Sequence, residues 1–186
     1  MLESKLFMVL LGCKPEGRFT EQHDIFFGIG DELGQLKPAM VNFWPEADGK
    51  LHVDAWREVC VVEGYSISVL PREAAPTSKW KLFFVNLGGY RGQDFEEYHY
   101  KQLVVAEDVA GATKAAKGSS FFKDYISPHI DDKYGLDVDD VFSVEDALPK
   151  AMRERFKLLI EEKESAGRPD EVHVGYLKFS KLAAEY

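Results

Sequence analysis

The sequence predicts an α+β fold in which two tandem β-β-α-β-β units, related by pseudo-two-fold symmetry, are followed by a C-terminal helix and strand. Three observations predict it. The segment KLFMVLLGC at 5–13 recurs as KLFFVNLGG at 81–89. Polar residues that follow the first copy recur, in the same order, after the second. Glycine- and proline-containing turns separate apolar runs of strand length. Because the similarities are colinear, we infer a tandem duplication.

The repeat sets the predicted boundaries. The first unit covers residues 1–70 and the second covers 80–148. Between them, residues 71–79 (PREAAPTSK) have the composition of a linker. Residues 149–186 have no counterpart in the repeat, and we expect them to cover the seam between the units.

Each unit is expected to run through the same elements. KLFMVLLG predicts a strand buried on both faces, and FTEQHDIFFGIG predicts a second strand. Leu33, Leu36, Met40 and Trp44 have helical spacing, and LHVDAWREVCVV and YSISVL predict the last two strands. In the second unit, DVAGATKAAKG predicts the helix, and the alignment places Phe142 and Ser143 opposite Tyr65 and Ser66.

The C-terminal segment combines a predicted helix with a predicted strand. In PKAMRERFKLLIEEKE, four apolar residues share one helical face, and Pro149 suits a helix start. These residues are Met152, Phe156, Leu159 and Ile160. EVHVGYLKF then predicts a closing strand.

Charge and cysteine content limit the classes of partner. The net charge is −9, with 32 acidic against 23 basic residues and no basic cluster, which disfavours nucleic acid as a partner. No apolar run approaches the roughly 20 residues of a membrane span, so no membrane partner is expected. Two cysteines without a C-x-x-C motif favour a reducing, cytoplasmic location.

Eight histidines and carboxylates form the predicted binding site, because they are retained in both units as E-x-H and H-x-D pairs. Residues two apart on a strand share a face, so each pair should project together. Imidazole with carboxylate suits a divalent metal ion or a general base. We expect His23, His52 and Asp54 to be the metal ligands. The eight residues are Glu21, His23, His52, Asp54, Glu97, His99, His129 and Asp131.

Alternative interpretations of these residues remain open. A histidine beside an apolar face is commonly hydrogen-bonded to a carboxylate and only supports the fold. The second unit has Lys101 where the first has Ile25, and a lysine there would disfavour a bound cation. Cys13 is a further candidate, as a nucleophile paired with His23.

Three hypotheses of function follow. The leading one is a non-enzymatic binding module that takes a small molecule or protein segment in a cleft between the units. The alternative is a metal-dependent, hydrolase-like enzyme that uses the histidine and carboxylate pairs. A third is assembly through an edge strand or the C-terminal helix. The sequence leaves the oligomeric state and the ligand open.

Three stretches of the chain read KLFMVLLGCKPEGRFTEQHDIFFGIGDEL, LHVDAWREV and EEYHYKQLVVAED. They resemble a bacterial family, the domain of unknown function DUF1543. The resemblance covers residues 4–70 and, more loosely, 80–148. It implies the same unit fold and two tandem copies, which are a feature of that family, and it implies no catalytic residues.

Overall fold

The computed structural model describes residues 4–90, 93–118, 126–130, 141–163 and 168–182, and for 126–130 it describes the backbone alone. The described strands are β1 (Lys5–Cys13), β2 (Gln22–Gly30), β3 (His52–Glu58), β4 (Val61–Val62), β5 (Tyr65–Pro71), β6 (Lys81–Tyr90), β7 (Glu97–Ala106), β8 (Ile126–Ile130), β9 (Val141–Ser143), β10 (Phe156–Glu162) and β11 (His173–Lys178). The described α-helices are α1 (Lys37–Phe43), α2 (Val109–Lys117), α3 (Val144–Ala147) and α4 (Lys150–Arg155).

The strands form three antiparallel sheets, which confirms the predicted α+β class. Sheet 1 has the order β11-β3-β1-β2. Sheet 2 has the order β7-β6-β8, with β9 also paired to β6. Sheet 3 has the order β10-β5-β4. Among the described helices, none has the length and apolar character that crossing a bilayer requires.

Sheets 1 and 2 pack face to face around a shared core, with a helix on the outer face of each. Phe27 of sheet 1 meets Phe84 of sheet 2 edge-on, with ring centroids 5.7 Å apart. The opposite face of sheet 1 packs against α1 and the 3-10 turn before it, where Leu33, Leu36 and Met40 are buried as their spacing predicts. The small residues of α2 cover the outer face of sheet 2. The result is a helix–sheet–sheet–helix arrangement.

The first two strands of each predicted unit pair in the same register. Leu6 lies opposite Ile29, and Leu82 lies opposite Val105, so both partners are displaced along the chain by the same number of residues. This agreement is what a duplication requires. The duplication itself stays a prediction.

The sequence alignment of the last strand in the second unit is wrong. It placed Phe142 and Ser143 opposite Tyr65 and Ser66 of β5, which belongs to sheet 3. In the structure Ser143 pairs with Phe83 of β6. The corresponding pair in the first unit is Glu58 of β3 with Phe7 of β1, so Ser143 is equivalent to Glu58. Because β8 and β9 together fill the place of β3, a pattern of similar residue types was a poor guide to strand equivalence.

The predicted helical face in the C-terminal segment is also wrong. Helix α4 ends at Arg155, and Phe156 begins strand β10, which pairs along its length with β5. Leu158 and Ile160 are buried in the core between the sheets. A short apolar run is compatible with either a helix or a strand. This segment pairs with the edge of β5 that β4 leaves open, so it forms a strand.

The carboxylate of Asp170 ties the segment before β11 to the turn between β3 and β4. Its Oδ1 accepts hydrogen bonds from the backbone N–H groups of Cys60 and Val61, at 3.1 and 3.0 Å. Its Oδ2 is buried without a hydrogen-bond partner. Burial raises the pKa of the Asp170 carboxyl, an effect that the two N–H donors and nearby Arg57 oppose and that Glu58 reinforces.

Replacing Asp170 by asparagine should change how stability depends on pH. A carboxyl whose pKa rises on folding stabilises the fold below its unfolded pKa of about 3.9. That contribution is lost as the pH rises through the folded pKa. Asp170→Asn keeps an oxygen for both N–H groups, so its unfolding free energy relative to wild type should increase between about pH 4 and pH 7.

Urea denaturation at both pH values measures this difference. Glu171→Gln, at an exposed neighbouring position, is the control and should show no such trend. If the unfolding free energies of wild type and Asp170→Asn change with pH in parallel, folding does not raise the pKa of the Asp170 carboxyl.

Candidate functional site

A glycine in the middle strand lies between two histidines. Gly12 of β1 is the register partner of His23 in β2 and of His52 in β3. Residues directly opposite one another project from the same face of a sheet. Met8 and Leu10 pack toward the core between sheets 1 and 2. Gly12 follows them at the same two-residue spacing along β1, so it faces that core as well.

A β-bulge turns Asp54 toward the same point. Leu10 pairs with Ala55 but Leu11 pairs with Val53, so Asp54 is an extra residue in β3. A Cβ atom built on Gly12 would lie 2.3 Å from Asp54 Oδ2 and 2.3 Å from His52 Nε2. The missing side chain of Gly12 therefore provides the space in which these atoms meet.

The four first-unit residues predicted from the sequence come together as one cluster. The Nε2 atom of His52 lies 2.7 Å from Glu21 Oε1 and 3.2 Å from Asp54 Oδ2. The Nε2 atom of His23 lies 3.3 Å from the same Asp54 oxygen and 4.0 Å from Glu21 Oε2. We call these residues the polar cluster: Glu21, His23, His52 and Asp54.

Burial differs across the polar cluster. The side chain of His52 is 8% exposed and that of Asp54 is 24% exposed. The side chains of His23 and Glu21 are 41% and 44% exposed. The cluster thus has a buried floor and an open side.

The two buried atoms at the floor of the polar cluster have no hydrogen-bond partner, although they are close to one another. Neither His52 Nε2 nor Asp54 Oδ2 makes a hydrogen bond. The short separations therefore lack the angles that an N–H···O bond needs. If His52 Nε2 carries no proton, its lone pair faces carboxylate lone pairs, and a shared cation would relieve that repulsion.

Metal-ligand geometry selects a slightly different set from the one predicted. Within the described part of the chain, Glu21, His52 and Asp54 each offer one ligand atom such that all three lie within 4.8 Å of one another. The prediction had named His23, His52 and Asp54. His23 lies at the side of this group, in contact with Asp54.

Sequence reasoning missed Tyr176, which covers His52. A second bulge, in β11, lies opposite the first: Val174 pairs with Ala55 and Leu177 pairs with Val53. Gly175 within it has φ of +140°, a conformation that favours glycine. The rings of Tyr176 and His52 lie 4.5 Å apart. No pattern in the sequence indicated this contact.

The second unit brings its histidines to an equivalent backbone position. Gly88 of β6 pairs with His99 of β7 and with His129 of β8, as Gly12 pairs with His23 and His52. Glu97 lies two residues before His99 at the start of β7. Asp131 lies outside the described residues.

Cys13 does not meet His23, so the candidate nucleophile–base pair is wrong, and the alternative of a core cysteine agrees with the structure. Cys13 is buried among residues that pack on the α1 side of sheet 1, the face opposite the polar cluster. Its Sγ lies 3.9 Å from the carbonyl oxygen of Ala47. Burial raises the pKa of the Cys13 thiol, which opposes a role as a thiolate nucleophile.

Comparison with known proteins gives a family and a fold. The chain is similar to the crystal structure of a protein Il1583 from Idiomarina loihiensis, with a TM-score of 0.60 and 24% identity over 95% of this chain and 98% of that chain. That likeness shows the fold alone. No curated protein matches. Residues 18–69, which hold the whole polar cluster, match the model described as Domain of Unknown Function (DUF1543). The chain therefore contains a domain of the DUF1543 family over residues 18–69.

Proposed function

We propose that the protein is a binding protein whose polar cluster holds one divalent transition-metal ion, of the zinc or cobalt type. One observation carries the proposal: the buried atoms His52 Nε2 and Asp54 Oδ2 converge on a common point without a hydrogen bond. An unpaired buried polar atom costs about 1–3 kcal/mol, and a bound cation would remove that cost at both atoms.

The separations within the polar cluster support this proposal. Ligands bonded to one ion at about 2.0–2.1 Å lie about 2.8–3.4 Å apart in octahedral or tetrahedral geometry. The contacts of His52 with Glu21 and Asp54, at 2.7 and 3.2 Å, are close to that range. One imidazole with two carboxylates is a donor set that suits zinc, iron or manganese.

The open side of the polar cluster would leave room for a ligand. Glu21 and His23 are more exposed than His52, so a bound ion would be reached from their side. We therefore keep the small-molecule binding function expected from the sequence and assign its anchor to the metal. As part of the same proposal we place the protein in the cytoplasm, since two cysteines without a C-x-x-C motif suit a reducing compartment.

A metal-dependent hydrolase is the second candidate, and the position of His23 favours it. His23 lies outside the group of three mutually close ligand atoms but 3.3 Å from Asp54. A histidine held by a carboxylate beside a metal ion can act as a general base toward a metal-bound water. If so, zinc-loaded protein should hydrolyse a chromogenic ester, and His23→Gln should lose that activity while binding zinc within about tenfold of wild type.

Cobalt titration tests the metal proposal directly. Untagged, EDTA-treated protein should bind Co²⁺ and develop visible d–d bands. His52→Ala should raise the cobalt dissociation constant by at least about 100-fold, since it removes a ligand and even supporting contacts contribute 10–100-fold.

The control for this titration is His173→Ala, which removes a histidine that stacks on Trp56 outside the polar cluster. Thermal unfolding in EDTA checks that each variant is folded. Equal cobalt affinity in wild type and His52→Ala, or no cobalt bands in folded wild-type protein, would contradict the proposal.

Gly12→Ala tests the space that the cluster needs. The added methyl group would lie 2.3 Å from both His52 Nε2 and Asp54 Oδ2, so these side chains must move apart. We expect the cobalt dissociation constant to increase by at least about tenfold, which corresponds to about 1.4 kcal/mol.

Gly111→Ala provides the matched control. Gly111 lies inside α2, and its added Cβ would contact Ala106 and Asp108 at an ordinary 3.4 Å. It should leave cobalt affinity unchanged and stabilise the helix by about 0.5–1 kcal/mol. Unchanged cobalt affinity in Gly12→Ala would refute the assigned geometry.

A further inference from the structure

A cavity of about 440 Å³ lies between sheets 1 and 2, beside the polar cluster. Its volume falls in the range of small-molecule sites. We call it the inter-sheet cavity, and its lining residues used below are Met8, Leu10, Ile25, Ala55, Arg57 and Lys101.

The strand register places the inter-sheet cavity next to the polar cluster. Leu10, Ile25 and Ala55 lie opposite one another on neighbouring strands and line the cavity. On the same face of sheet 1, these three residues are adjacent to the row formed by His23, Gly12 and His52. Two residues along a strand span about 7 Å, which is therefore the distance from the cluster to the cavity floor.

The lining combines an apolar floor with two cations. Met8, Leu10 and Ile25 are apolar, whereas Arg57 and Lys101 contribute positive charge from sheet 1 and sheet 2. The acidic side chain in the lining, Glu63, already accepts a hydrogen bond from the backbone N–H of Val105 at 3.3 Å. The apolar floor is the part of the lining that fits a hydrocarbon chain.

An exposed apolar strip joins the cavity to the cluster along β11 and the residue before it. Val172, Val174 and Tyr176 are 55%, 82% and 64% exposed. Val172 lines the cavity, and the ring of Tyr176 contacts that of His52 at the other end of the strip. A ligand that reaches from the cavity to the metal would cover apolar surface that the described part of the chain leaves open.

We propose that the inter-sheet cavity binds the hydrocarbon part of a medium-chain carboxylic acid whose carboxylate coordinates the metal ion. The inference rests on the proposed metal site. The roughly 7 Å between the cluster and the cavity floor matches an acid whose carboxylate and chain bind at separate places. The metal ion attracts the carboxylate, and the apolar floor selects the chain.

Decanoate and cobalt together test the inference. Decanoate should shift the visible bands of cobalt-loaded protein, whereas acetate should bind at least about 100-fold more weakly because it buries no methylene chain. Ala55→Phe fills the cavity without changing a metal ligand. It should weaken decanoate binding by at least about tenfold and leave the cobalt dissociation constant within about twofold of wild type.

The matched control is Ala110→Phe, at an exposed position of α2 on the far side of sheet 2, which should bind decanoate as wild type does. Protein that binds cobalt but shows no band shift with decanoate overturns this inference alone, as does undiminished decanoate binding by Ala55→Phe. Protein that binds no cobalt overturns the proposed function and this inference together.

Discussion

The bare backbone at Gly12 is the constraint on which the polar cluster depends. Three adjacent strands bring His23, Gly12 and His52 into one row, and a side chain at the central position would fill the space where the histidine and carboxylate atoms meet. Asp54 lies in a bulge of β3 two residues after His52, and its Oδ2 reaches the same point. Leaving these atoms unpaired costs stability, as is common where a fold is organised around a site for a ligand.

Much of the fold could be predicted because strand registers and apolar spacing are local properties of the sequence. The pairing of β1 with β2 and of β6 with β7 follows from two similar hairpin-forming segments. The strand at Phe156–Glu162 could not be predicted, because its pattern also suits a helix and its partner β5 lies far along the chain. The pairing of β9 with β6 was missed because similar residue types do not show which strand a segment pairs with.

The candidate site was predictable as a set of residue types but not as a geometry. The retained E-x-H and H-x-D pairs pointed to Glu21, His23, His52 and Asp54, which the fold brings together. The choice of Glu21 over His23 as the third ligand depends on the positions of side-chain atoms, which the spacing of residues in the sequence does not show. Gly12 was the available signal, since a glycine precedes the E-x-H pair in both units. Contacts across distant strands, such as Tyr176 with His52, leave no local pattern.

Anomalous diffraction from zinc-soaked crystals tests the central claim most directly, because it locates the ion without reference to activity or ligand. The account predicts one strong peak above Gly12, within about 2.3 Å of His52 Nε2 and an oxygen of Asp54. Crystals that contain zinc elsewhere but show no peak at this position, with His52 and Asp54 joined by an ordinary hydrogen bond, would contradict it.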